Sequence, residues 1–157
     1  MSWRDLIAAA EAVRATALAG DPTLEALPLA GIGWATVDVE RAQQELDVLL
    51  GPEDGGAAAS WTPIARDPAL GASAWLRSAG EATPPTDPRP ALVLLEPDTE
   101  GRLAASLARF GEGVAVIYLG DGPAGPGRVL GGGMWGPHVV RVDSGSGVSS
   151  SGREARA

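Results

Sequence analysis

Two stretches of this 157-residue chain constrain its fold more than any others. Residues 29–37 (LAGIGWATV) and 114–119 (VAVIYL) are apolar on both alternating faces. A strand without a polar face belongs inside a sheet, with helix against one side. Each stretch also has a helix signal beside it. After the first, Asp38 is a good N-cap and Glu40 sits near the positive end of the helix dipole. Val39, Ala42, Leu46, Leu49 and Leu50 then form an inner stripe, and Gly51 and Pro52 stop the helix. Before the second, Asp98 or Thr99 starts a helix. Leu103, Leu107 and Phe110 mark its inner face, and Gly111 ends it.

Three further strands are expected at residues 57–65, 71–79 and 90–96. Arg66-Asp67-Pro68 turns between the first two, and a polar, proline-rich loop over 80–89 leads to the third. The order strand, helix, three strands is therefore complete once. After residue 119 it is not repeated. DGPAGPG, residues 121–127, is too rich in Gly and Pro to form a second helix. Residues 128–130 and 139–142 remain as short strands joined by the glycine-rich GGGMWGP, residues 131–137. That loop lacks the Lys-Ser/Thr of a phosphate loop, and no helix follows it. The expected fold class is α+β: one strand-helix-three-strand module plus an abbreviated second module in a mixed, curved sheet, with an extra N-terminal helix. That helix covers residues 2–19, with Leu6, Ala10, Val13 and Ala17 on one face and a capping box of Ser2 and Asp5. It packs on the shared core or serves a partner. Residues 23–28 are a connector. The expected organisation is 1–28 (helix and connector), 29–143 (main domain) and 144–157 (a disordered tail of Gly, Ser and charge).

Composition excludes several chemistries. With no cysteine there is no disulfide, zinc–thiolate site, iron–sulfur cluster or Cys nucleophile. His138 is the single histidine, so no site can draw two His ligands from one chain. All 12 basic residues are arginine, which removes lysine Schiff-base chemistry. A net charge of −8 repels phosphate backbones, so nucleic acid is not an expected partner. The chain has no apolar run long enough to span a bilayer and no signal-peptide pattern, so no membrane association and a cytoplasmic location are expected.

Two segments carry a resemblance: GIGWATVDVERAQQEL, residues 31–46, and LLEPDTEGRLAASLARFGEGVAVIYL, residues 94–119. They resemble landmarks of the vicinal oxygen chelate superfamily, most closely its methylmalonyl-CoA epimerase and glyoxalase-like branch. The resemblance spans residues 30–143 and implies one divalent metal held in a cleft by His, Glu or Gln from four strands. Carried across, the four ligand positions fall on Gly31, Val93, Val116 and Arg141. None of these is a ligand, so the resemblance is to a degenerate, metal-free member, with no cofactor expected.

What remains for function is a short set of residues. Trp34, Trp61, Trp75 and Trp135 are candidates for an aromatic-walled pocket, although core packing accounts for tryptophans equally well. Glu96 and His138 are candidate acid–base or ligand-contacting groups, read equally as a strand end and a loop residue. Arg141 completes the ligand-binding candidates; no catalytic residue is assigned. Three functions compete. The first is a non-catalytic accessory or interaction subunit, with a homodimer or larger protein as partner. The second is a binder of a cationic drug or metabolite, similar to bleomycin-resistance proteins. The third is an epimerase- or glyoxalase-like enzyme.

Overall fold

The structure, a computed structural model, describes residues 1–18, 21–51, 59–78, 89–130 and 137–145. Among them are four helices and seven strands. The helices are α1 (Trp3–Ala17), α2 (Pro22–Glu25), α3 (Val39–Leu50) and α4 (Arg102–Phe110). The strands are β1 (Leu29–Ala35), β2 (Ser60–Asp67), β3 (Ala72–Ser78), β4 (Ala91–Pro97), β5 (Gly113–Gly120), β6 (Arg128–Leu130) and β7 (His138–Val142). Most of the 80–89 loop, residues 131–136 of the glycine-rich loop and the tail from 146 onward lie outside the described residues.

All seven strands form one mixed sheet in the order β2-β3-β4-β1-β5-β7-β6. β1 runs parallel to β4 and antiparallel to β5, so the two apolar stretches lie side by side near the middle. β5 and β7 are parallel, and β6 returns antiparallel on β7. The first module is thus whole and the second short, as expected.

Each face of the sheet has its own core. On one face Ile32, Leu92, Leu94, Ile117, Leu119 and Val139 pack with Ala42 and Leu46 of α3 and with Leu6 and Ala10 of α1. α3 lies over β4, while α1 lies over β5 and β7. The N-terminal helix therefore covers the β5–β7 half of the sheet. Its start is fixed by the expected capping box: Ser2 N–H donates to Asp5 Oδ2 (2.7 Å) and Asp5 N–H to Ser2 Oγ (3.3 Å).

The other face is lined by Ala35, Ala74, Val93, Leu95, Val116, Tyr118 and Val140, with Leu103 of α4 and Ala124 of the 121–127 loop packed on it. The Gly/Pro segment that cannot form a helix crosses this face as a plug. Ala124 and Gly125 are buried, and Gly125 lies against Ile64 of β2.

Several boundaries differ from the sequence reading. The 23–28 connector contains α2, because Asp21 caps it by accepting from Thr23 N–H (3.1 Å) with Pro22 at its first position. α4 starts at Arg102 rather than at Asp98 or Thr99. Asp98 is instead paired with Arg66, and Gly101 takes a conformation (φ 140°) that precedes the helix without a side-chain cap. Leu49 is not on the inner stripe of α3. It is exposed, as is Val48 at 83%. Phe110, expected inward on α4, is 61% exposed.

Candidate functional site

The four positions implied by the resemblance can be placed by strand alternation. Gly31, Val93 and Val116 share the plugged face, and Gly33 pairs with both Val93 and Val116 across neighbouring strands. Arg141 does not join them. On β7 the buried residues of that face are Val140 and Val142, so Arg141 points to the opposite side. It is exposed, and its Nε donates to Asp143 Oδ1 at 3.0 Å.

No metal fits these residues. Val93 and Val116 are fully buried and offer no donor atom. At Gly31 a side chain has no space: a Cβ would lie 2.5 Å from Ala124 Cβ and 3.3 Å from the Tyr118 ring. At Gly33 it would lie 2.7 Å from Val116 Cβ. The two glycines thus make room for the Tyr118 ring, the Val116 side chain and the plug. Burial pushes the Tyr118 hydroxyl above its ordinary value, and nearby Asp67 adds to the shift, so it is a neutral phenol at physiological pH.

The candidate aromatic wall lies on the helix-covered face. Trp34 and Trp75 flank Leu94 in register, and both, like Trp3 and Trp61, are partly buried against the core of the helix-covered face. These four tryptophans therefore lie away from the face of Gly31. Trp61 Nε1–H donates to both carboxylate oxygens of Asp47 on α3 (3.2 and 3.1 Å). Arg77 Nε–H donates to Asp47 Oδ1 (2.9 Å), its guanidinium also reaches the Gly51 carbonyl (3.1 Å), and it lies 5.9 Å from the Trp3 ring. Trp135 lies outside the described residues. Glu96 follows Leu95 on β4 and falls on the side of Leu92 and Leu94, half-buried. His138 alone of the six described candidates shares the plugged face. It pairs with Val116 and is buried.

Sequence reasoning passed over the polar groups that organise these faces, Asp47, Arg77 and Glu112, while the expected turn residue Asp67 accepts from the Ala69 and Leu70 amides. A signal existed for Arg77, an arginine at the inward-facing step of an otherwise apolar strand. Glu112 has the clearest geometry. Its carboxylate accepts from Thr36 Oγ1 (2.8 Å), Val37 N–H (2.9 Å) and Arg41 Nη2 (2.7 and 2.6 Å). The Arg41 hydrogen bonds, followed by that of Val37, lower its pKa to about 2. It fastens the start of β5 to the turn between β1 and α3, which joins the two landmark segments directly.

No family model matches the chain, and no curated protein matches it. Solved structures overlap it in part. A hypothetical protein from Bacillus halodurans C-125 is 20% identical, with a TM-score of 0.43, over 62% of this chain and 60% of that one. Methylmalonyl-CoA epimerase from Mycobacterium tuberculosis is 15% identical, with a TM-score of 0.42, over 58% of this chain and 53% of its own. Methylmalonyl-CoA epimerase from Streptomyces coelicolor, in complex with 2-nitronate-propionyl-CoA, is 19% identical, with a TM-score of 0.43, over 62% of each chain. The chain spans less than two thirds of the length of each. These are partial likenesses, and the fold described above rests on the chain's own strand order. No helix among the described residues is long and apolar enough to cross a membrane.

Proposed function

We propose that this chain is a non-catalytic, metal-free glyoxalase-like protein that acts as an accessory or interaction subunit. The observation that carries this reading is the plugged face. Ala124 and Tyr118 take the space above Gly31, and the donor positions on neighbouring strands are buried valines. A Lewis-acid mechanism needs several donors converging on an open cavity, and neither is built into this face. The outer side of α3 supports the interaction role. Val48 and Leu49 stand exposed beside Gln44 and Glu45, around a shallow depression of about 370 Å³. Apolar side chains grouped on the outside of a helix mark association surfaces more often than isolated ones do. The β2 edge of the sheet is also unpaired among the described strands.

The partner is a second copy of this chain or a larger protein. On this reading the full-length chain runs in native mass measurement as a dimer or a stable complex at micromolar concentration. Replacing both apolar groups (V48E with L49E) returns it to the monomer mass with its fold intact. A wild-type chain that is monomeric and captures nothing removes the accessory-subunit reading. Binding of a cationic small molecule, through Trp34, Trp61, Trp75, Trp135, Glu96, His138 or Arg141, then becomes the better account, and quenching of tryptophan fluorescence is its test.

A further inference from the structure

At the end of the sheet where β5 and β7 begin, a cavity of about 250 Å³ lies between α1 and α4. Val13 of α1 forms one wall. Ser106 and Phe110 come from α4, Val114 and Ala115 from β5, and Pro137 from the position before β7. Ser106 and Phe110 are four residues apart and so share one side of the helix. The space stays open because the residues turned inward there, Ser106 and Ala115, are small. Phe110, the one ring in the wall, is 61% exposed and stands at the rim instead of filling it.

Ser106 is the polar side chain of this wall, and it is only 3% exposed. A serine or threonine inside a helix commonly gives its hydroxyl hydrogen to the carbonyl four residues back. Thr16 does so, donating to the Ala12 carbonyl at 3.1 Å. The Ser106 hydroxyl has no hydrogen-bond partner among the described residues. Nor is it sealed off: the side-chain atoms that are both unpaired and closed to all free space are Asp67 Oδ2, Arg102 Nη1 and His138 Nε2. Ser106 Oγ therefore opens into the cavity. A buried hydroxyl left without a partner is costly, which makes it a point of attachment. The other five side chains are apolar, none carries a charge, and Pro137 has no N–H to give.

We propose that this cavity binds a small neutral aliphatic molecule carrying one oxygen, an alcohol or a ketone, whose oxygen is hydrogen-bonded to the Ser106 hydroxyl. That hydroxyl both donates and accepts, so it serves either kind of oxygen. A pure hydrocarbon leaves it unmet. An ion gives up its hydration and finds no opposite charge in the wall. At ~30 Å³ per water-sized unit the space suits about eight non-hydrogen atoms. The site is separate from the α3 surface and does not depend on the accessory role.

The test uses cyclohexanol, titrated into the full chain and followed by amide NMR shifts. Saturable binding in the millimolar range is expected for a ligand of about seven non-hydrogen atoms. Shifts should centre on Val13, Ser106, Phe110 and Ala115. Cyclohexylammonium, of the same shape with a charge, should bind about tenfold more weakly or not at all. S106A should weaken cyclohexanol about fivefold, the loss of one neutral hydrogen bond. Alanine is the better helix former, so this variant keeps its fold. V13F should fill the space from the α1 side and abolish binding, and S106A carries the test if V13F does not fold. The proposal is overturned by the absence of saturable shifts at these residues, by equal binding of cyclohexanol and cyclohexylammonium, or by unchanged cyclohexanol affinity in S106A or in folded V13F.

Discussion

Gly31 is one of the four positions at which the sequence resemblance implies a metal ligand. Its missing side chain is a packing requirement, since a Cβ there meets Ala124 Cβ at 2.5 Å. Gly31→Ala is expected to destabilise the fold by about 1–3 kcal/mol through overpacking. Ala124→Gly in the same chain should restore part of that loss. Urea unfolding of the two single variants and the double variant measures the coupling, and additive losses would show that the two residues do not meet. The sequence displayed Gly31 as a lost ligand but not the reason for it. The atoms that exclude a side chain come from Tyr118 and from a Gly/Pro loop far along the chain, and local pattern carries no trace of such a contact. The same holds for Asp47, which reads as surface charge in its own helix, yet it pairs across the helix–sheet boundary with Arg77, whose side chain is 1% exposed.

At the scale of elements, Glu112 decides how the β1–α3 turn meets β5. Its folded pKa of about 2 lies below the ordinary value of 4.5. A depressed carboxylate pKa contributes stability that is fully present above the unfolded value and is lost as pH falls through the folded one. Acid unfolding should therefore steepen between about pH 4.5 and about pH 2. Glu112→Gln should flatten that part of the profile and cost about 1 kcal/mol at neutral pH, as expected for partly exposed charge-assisted bonds. An unchanged acid profile in the variant would separate Glu112 from the clasp. Element types were legible because the apolar periods of β1, β5, α1 and α3 are strong. Ends were less so: Asp98 looked like a helix cap but is engaged by Arg66. The position of α1 was legible only as a choice between core and partner. Nothing in its own pattern says that it covers β5 and β7.

For the whole molecule, the sequence pointed to one mixed α+β sheet with β1 and β5 near its middle, and the strand order agrees. The 121–127 segment, too rich in Gly and Pro for a helix, had no place assigned to it in the sequence pattern. A Gly/Pro segment can still fill space, and here it closes the face that carries Gly31, Val93 and Val116. The central claim is that this closed face holds no metal and supports no metal chemistry. Elemental analysis tests it most directly, on tag-free protein exposed to nickel, cobalt, manganese and zinc and then freed of excess ion. The account predicts far less than one equivalent of any of them per chain. One tightly held equivalent, lost on chelation and regained on adding the ion back, would contradict it.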